Sequence, residues 1–288
     1  FLIYNIYMGK KIFIILTIIC FLCIVAGVVI YFSPEARLMR HISRGENYLK
    51  NGKTVLAAEE AEKALEINQK HYAPYLLLGK IYITQKQYGL AIDKLRTADE
   101  LSPDSIEIYY YTAIAYRGKG EFIKALAKFD KAIALEERSD DRIWGKKLTE
   151  AKFDTYIEYG KLLQSRGRLE EGKEKFVKAM YIYPENPYPH YYLVSLYIDM
   201  DRFDLALEEA KNTMKLKTTL GADAFYKLAG ACKDKALGKE GPELYRTFTK
   251  KLGDMIEKES NLIIRELLRQ IRNYSENELK KMEKEKGQ

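Results

Sequence analysis

The hydrophobic pattern changes character once along the chain. Residues 12–32 read IFIILTIICFLCIVAGVVIYF, with no charged residue and no proline. At a rise of about 1.5 Å per residue, a helix of that length matches a hydrocarbon core of about 30 Å. From Leu38 onward the apolar positions instead recur at helical spacing between polar ones, which predicts a succession of amphipathic helices. The chain is therefore expected to be all-α: a transmembrane helix followed by packed helices.

The helices follow a period. Ala57, Ala91 and Ala125 are 34 residues apart, and Ala64, Ala98 and Ala132 share that step. So do Tyr48, Tyr82 and Tyr116, while Gly45 and Gly79 are followed in phase by Ala113. Small residues in phase mark points where two helix backbones approach closely, and the tyrosines fill the space beside them. Each period then reads as two antiparallel helices, A and B.

These positions resemble the tetratricopeptide repeat family, whose units place an aromatic residue, Leu-Gly, Tyr, Ala, Phe, Ala and Pro in that order. Residues 72–105 carry Tyr75, Leu78-Gly79, Tyr82, Ala91, Ala98 and Pro103. Residues 106–139 carry Tyr109, Ala113, Tyr116, Gly120, Ala125, Phe129 and Ala132. Residues 38–71 keep Gly45, Tyr48, Gly52, Ala57 and Ala64 but lack the closing proline. After an insertion at 140–152, a fourth unit (153–186) carries Tyr156, Gly160, Gly167, Phe176, Ala179 and Pro184, with Gly172 in place of the usual alanine. A fifth (187–220) keeps Leu193, Tyr197, Phe203, Ala206 and Leu207. A degenerate hairpin over 221–252 and a tail over 253–288 complete the chain.

The resemblance implies a right-handed α-solenoid of five to six hairpins, closed by the tail as a capping and charged helical segment. Ser275 and Glu278 form a capping-box pattern that predicts a short separate final helix. In the insertion, Trp144, Leu148 and Ala151 fall at helical spacing and extend helix A of the fourth unit backwards. Ser139 and Asp140 are candidate caps for it. Trp144 itself is read as a structural brace, with a dedicated partner contact as the alternative.

In this family the A helices line a concave groove that holds protein partners. Carried onto this chain, that face comprises Met39, Ile42, Glu46 and Leu49, then Leu76, Lys80 and Ile83, then Glu107, Tyr110, Ile114 and Arg117. Ile157, Lys161, Tyr188, Tyr191 and Ile198 continue it. Tyrosine and arginine suit such a surface because they combine large contact area with polar ends. An extended or helical segment with apolar anchors and some acidic groups is the expected ligand. Chaperone-binding members grip a terminal carboxylate with basic and asparagine side chains, and this face has no such asparagines.

Composition narrows the function further. The net charge is +7, but Lys and Arg alternate with Glu and Asp, so no basic tract for nucleic acid is present. The three histidines have no ligand-spaced partners in sequence, and no H-E-x-x-H, G-x-S-x-G or phosphate loop occurs. Cys20-x-x-Cys23 lacks a second ligand pair, and Cys232 has no disulfide partner outside the apolar run. The expectation is a non-enzyme without cofactor or metal, acting through protein partners at a membrane and free to self-associate.

The apolar run exceeds a signal-peptide core and lacks a small-x-small cleavage site, so it reads as an uncleaved anchor. Lys10 and Lys11 favour a cytoplasmic N-terminus; Arg37, Arg40 and Arg44 pull the other way. Long domains translocate largely regardless of charge, so the repeat domain is expected outside the inner membrane. Met8-Gly9-Lys10-Lys11 reads as a start, which makes residues 1–7 an upstream extension. With Lys-, Ile- and Tyr-rich usage, the chain reads as a membrane-anchored bacterial scaffold that assembles or stabilises an envelope complex. Two alternatives remain: a regulatory accessory subunit of an envelope enzyme, and a cytosol-facing receptor for chaperones or preproteins.

Overall fold

The computed structural model describes residues 31–138, 143–236 and 243–286. The described residues form helices and connecting turns without a strand. The chain divides into two compact units, one ending at Leu148 and the other beginning at Thr149. Nearly all of the expected anchor at 12–32 lies outside the described residues. Among the described residues, no helix is long and apolar enough to cross a membrane.

The first unit contains α1 (Pro34–Lys50), α2 (Thr54–Ile67), α3 (Tyr72–Thr84), α4 (Tyr88–Leu101), α5 (Ile106–Gly118) and α6 (Phe122–Glu136). It also holds the first turn of α7 (Gly145–Ser165). Consecutive helices pack as antiparallel hairpins, and α1, α3 and α5 also touch in series. Odd-numbered helices are thus the A helices of the expected hairpins. Ser33 opens α1: its hydroxyl accepts a hydrogen bond from the Ala36 amide at 3.2 Å, and Pro34 occupies the first helical position.

The A-to-B turns share one device. Gly52, Lys86, Gly120, Gly167 and Asp201 all adopt positive φ, between 59° and 81°. In each turn the next residue's amide reaches back to the carbonyl five positions before it. Lys53 donates to Tyr48, Gln87 to Tyr82 and Glu121 to Tyr116, at 2.9, 2.8 and 2.9 Å. These bonds satisfy carbonyls that a helix end leaves without partners.

Close helix approach explains the small residues. A Cβ on Gly45 would lie 2.5 Å from Leu77 Cδ2, and one on Gly79 would lie 2.6 Å from Leu95 Cγ. Ala57, Ala64, Ala91, Ala98, Ala125 and Ala132 are completely buried, whereas Tyr48, Tyr82 and Tyr116 are half-buried beside them.

The second unit contains the rest of α7, then α8 (Leu169–Ile182), α9 (Pro187–Asp199), α10 (Phe203–Leu216), α11 (Thr218–Ala236), α12 (Glu243–Lys258) and α13 (Leu262–Lys286). Gly160 abuts Phe176, and Ala179 and Ala206 are buried with it in the cores of their hairpins. The α7 helix begins before residue 153, as the spacing of Leu148 and Ala151 predicts; the candidate caps Ser139 and Asp140 lie outside the described residues.

The tail departs from expectation. α13 runs unbroken through Ser275, so Ser275 and Glu278 do not open a separate helix. Ser275 is buried and its hydroxyl donates to the Ile271 carbonyl at 2.9 Å. Glu278 pairs with Lys233 on α11 and with Lys281. The apolar stripe of Ile264, Leu268, Ile271 and Met282 continues on both sides of Ser275 and packs against α11 and α12. Burial of that continuous stripe outweighs the local capping preference.

Candidate partner-binding face

In the first unit the A helices bring a ladder of charges together. Glu46 on α1 and Lys80 on α3 occupy equivalent repeat positions, and the Lys80 ammonium donates to the Glu46 carboxylate at 2.8 Å. It also lies 2.6 Å from Glu107 Oε1 on α5 and 5.0 Å from the centre of the Tyr111 ring. Burial disfavours this charge, but the bonds to Glu107 and Glu46 more than compensate and hold its pKa above the ordinary lysine value.

The insertion lands on the same face. Glu136, buried at the end of α6, accepts from the Trp144 and Gly145 amides at 2.6 and 2.9 Å, which caps the start of α7. Trp144 is thereby set 5.3 Å from Tyr110, centroid to centroid. In the first turn of α7, the Lys147 ammonium sits 4.5 Å from both the Tyr110 and Trp144 rings and 5.4 Å from Tyr111. Tyr110 and Tyr111 meet edge to face at 5.1 Å, so the three rings form an open box around one cation. Partial burial lowers the Lys147 pKa; the Glu107 charge opposes this and the Lys80 charge adds to it.

The second unit carries a comparable face. Lys161 on α7 lies over the Tyr192 ring at 5.1 Å, and Gln164 donates to Asp199 on α9 at 2.6 Å. The Tyr191 hydroxyl donates to Asp223 on α11 at 2.6 Å. That bond, helped by burial, pushes the Tyr191 pKa up to about 12. Lys227 and Lys217 lie over the Tyr191 and Tyr188 rings.

The expected groove positions divide into two groups. Lys80, Ile83, Tyr110, Ile114, Arg117 and Tyr191 are half-buried, and Lys161 and Tyr188 are exposed. Leu76 and Ile157 are instead buried, 5% and 9% exposed, within the hydrophobic clusters of their hairpins. Ile42 is buried likewise, while Met39 is exposed. On an A helix packed on both flanks, Ile42, Leu76 and Ile157 turn into the core, whereas the long polar and aromatic members, with Ile83 and Ile114, stay partly at the surface. Tyr111, Tyr192 and Asp223 were not among the expected positions. The adjacent pairs Tyr110-Tyr111 and Tyr191-Tyr192 were the signal available in sequence. Among the described residues, no three His, Cys, Asp or Glu side chains cluster to hold a metal.

An all-α set of stacked helical hairpins with an aromatic and charged A-helix face defines the class. Within it, residues 72–105, which form α3 and α4, match the family model for the tetratricopeptide repeat. The chain is similar to Superkiller complex protein 3 of Homo sapiens, at 28% identity over 96 residues. That match takes in 33% of this chain and spans only 6% of the human protein. Among solved structures, YrrB, described as a TPR protein with an unusual peptide-binding site, matches at a TM-score of 0.48 and 18% identity over 69% of this chain and 96% of its own. A MamA protein matches at 0.48 and 21% identity, covering 63% of this chain and 92% of its own. MamA from Desulfovibrio magneticus RS-1 matches at 0.48 and 16% identity over 64% and 96% of the two chains.

Proposed function

We propose that this protein is a membrane-anchored adaptor that holds protein partners against the A-helix faces of its hairpins. The observation that carries the reading is the A-helix face of each unit: tyrosines and lysines from successive A helices within that unit, linked by ion pairs and cation–π contacts and partly open to solvent. Such residues give large contact area at low entropic cost, with polar ends to fix orientation. The uncharged run at 12–32 supports an anchor, and it ends just before α1, which would keep the face near the bilayer. We place the repeat domain outside the inner membrane, where it would assemble or stabilise an envelope complex.

Two measurements test this. Deleting residues 12–32 should release the chain from membranes into the soluble fraction; retention on membranes overturns the anchor. A photo-crosslinking residue at Tyr188 should yield discrete membrane-protein adducts, identified by mass spectrometry. Lys161→Glu with Tyr191→Ala should remove those adducts without loss of helicity. Adducts unchanged by the double substitution would overturn the role of this face.

A further inference from the structure

The first-unit face holds a feature that a generic adaptor does not need. Three aromatic rings from two separate elements converge on a single ammonium, and that ammonium belongs to the chain itself. Tyr110 and Tyr111 come from α5, whereas Trp144 and Lys147 come from the insertion. Trp144 is fixed by its backbone: its amide and that of Gly145 are held by buried Glu136, so this wall of the box is anchored independently of Lys147. Lys147 is the exposed member of the group, reaching back from the first turn of α7.

The charge balance favours an exchangeable cation. Lys80 is clamped between Glu46 and Glu107 at 2.8 and 2.6 Å and its side chain is itself largely buried, so it is the fixed cation of the pair. Those three groups alone sum to one negative charge beside three π faces. Lys147 brings the sum of these four groups to zero, yet among the described residues its ammonium makes no ion pair within 4.0 Å. It is therefore held by rings and by a carboxylate at longer range. Cation–π contacts at open sites are each worth only about 0.5–1 kcal/mol, so an outside cation can compete.

We propose that the box formed by Tyr110, Tyr111 and Trp144 is the receptor for an arginine or lysine side chain of a partner segment, and that Lys147 occupies it as an internal stand-in until displaced. This rests on the adaptor reading above and names the ligand chemistry of its first-unit face: a basic side chain, with Glu107 and Glu46 supplying the negative field. Displacement leaves Trp144 in place and frees Lys147 to enter solvent, so partner binding needs no change in the fold. A tethered side chain competes by its effective concentration, of the millimolar order, relative to its own dissociation constant, which three such contacts put at about 10 mM, so removing Lys147 should strengthen capture of a free cation up to about twofold.

Trp144 is the only tryptophan in the chain, so intrinsic fluorescence reads the box directly. The full chain is titrated with tetramethylammonium chloride, and with sodium chloride at matched ionic strength. Lys147→Gln should show saturable quenching at roughly half the concentration that wild type requires. Lys147→Arg, which keeps an occupant, should behave like wild type. Tyr110→Leu added to Lys147→Gln should abolish the saturable response, with circular dichroism checking that the helices persist. Equal responses to the two salts, or a response indifferent to residue 147, would overturn the proposal. Failure here with crosslinking at Tyr188 intact removes the cation box and leaves the adaptor; loss of crosslinking with the titration intact does the reverse.

Discussion

His190 Nδ1 lies 2.5 Å from Glu209 Oε2, tying helix A of the fifth hairpin to its own helix B. His41 and Glu60 repeat the relationship in the first hairpin at 2.7 Å, across the same sequence separation. At the equivalent positions, the second, third and fourth hairpins carry Tyr75 with Lys94, Tyr109 with Lys128, and Tyr156 with Lys175. In the third, the Lys128 ammonium sits 4.5 Å over the Tyr109 ring. In the fourth, Lys175 lies over Tyr159 instead, at 5.6 Å. One structural position thus carries either of two residue pairings, and the His–Glu and Tyr109–Lys128 pairs are each in contact.

The pairing predicts a double-mutant cycle. His190→Tyr alone leaves the largely buried Glu209 carboxylate without its partner and should cost about 1–3 kcal/mol. Glu209→Lys alone places two basic groups together and should also destabilise. The combined His190→Tyr/Glu209→Lys variant recreates the Tyr109–Lys128 arrangement and should recover most of the loss. Urea unfolding of the four proteins measures the coupling, and additive losses would contradict the matched-pair reading.

Acid should weaken the first hairpin. Burial of Glu60 favours its neutral form, but hydrogen bonds from Lys63 and His41 outweigh that and hold its pKa below the usual 4.5. A carboxyl with a depressed folded pKa contributes stability above its unfolded pKa, and that contribution is lost as pH falls through the folded value. Unfolding free energy should therefore drop as pH is lowered below about 4.5, and Glu60→Gln should show a shallower drop. Identical pH profiles for the two proteins would exclude Glu60 as a source.

The turn device predicts a gain. Lys86 and Asp201 hold positive φ at turn positions that are glycine at 52, 120 and 167. Left-handed backbone costs a residue with a Cβ about 1–2 kcal/mol. Lys86→Gly and Asp201→Gly should each stabilise the chain by a fraction of that, because glycine also gains freedom in the unfolded state. The opposite holds at Gly221, where a Cβ would lie 2.2 Å from the Met214 Cα, so Gly221→Ala should destabilise strongly. Thermal melts of the three variants should order them accordingly.

Cys232 should be inert in the native protein. It is 1% exposed, and burial pushes its thiol pKa up to about 12. In a chain with Cys20 and Cys23 changed to serine, a thiol reagent at pH 8 should label only as fast as α11 opens. Rapid labelling without denaturant would show that α11 does not hold its packing in solution.

Much of the fold was legible in sequence because its determinants lie at fixed separations. Gly45, Gly79, Ala57 and Ala91 recur every 34 residues, and each meets a neighbour one helix or one hairpin away, so period and packing are the same information. The A–B pairs and the A-to-B turns are local in the same sense. Where the period breaks, sequence alone loses its reference. The seat of Trp144 and Lys147 on Tyr110 and Tyr111 depends on where Glu136 catches the incoming backbone, a contact between a helix end and an insertion that no repeat position encodes. The groove pattern of the resembled family, carried onto this chain, likewise placed Leu76 and Ile157 on the partner face, whereas packing against neighbouring helices buries them. Ser275 and Glu278 had the local pattern of a helix start, but the apolar stripe of α13 continued past them. Local periodicity determined which residues form hairpins; which side chains remain at the surface was decided by tertiary burial, because a helix face acquires its inside only when another helix covers it.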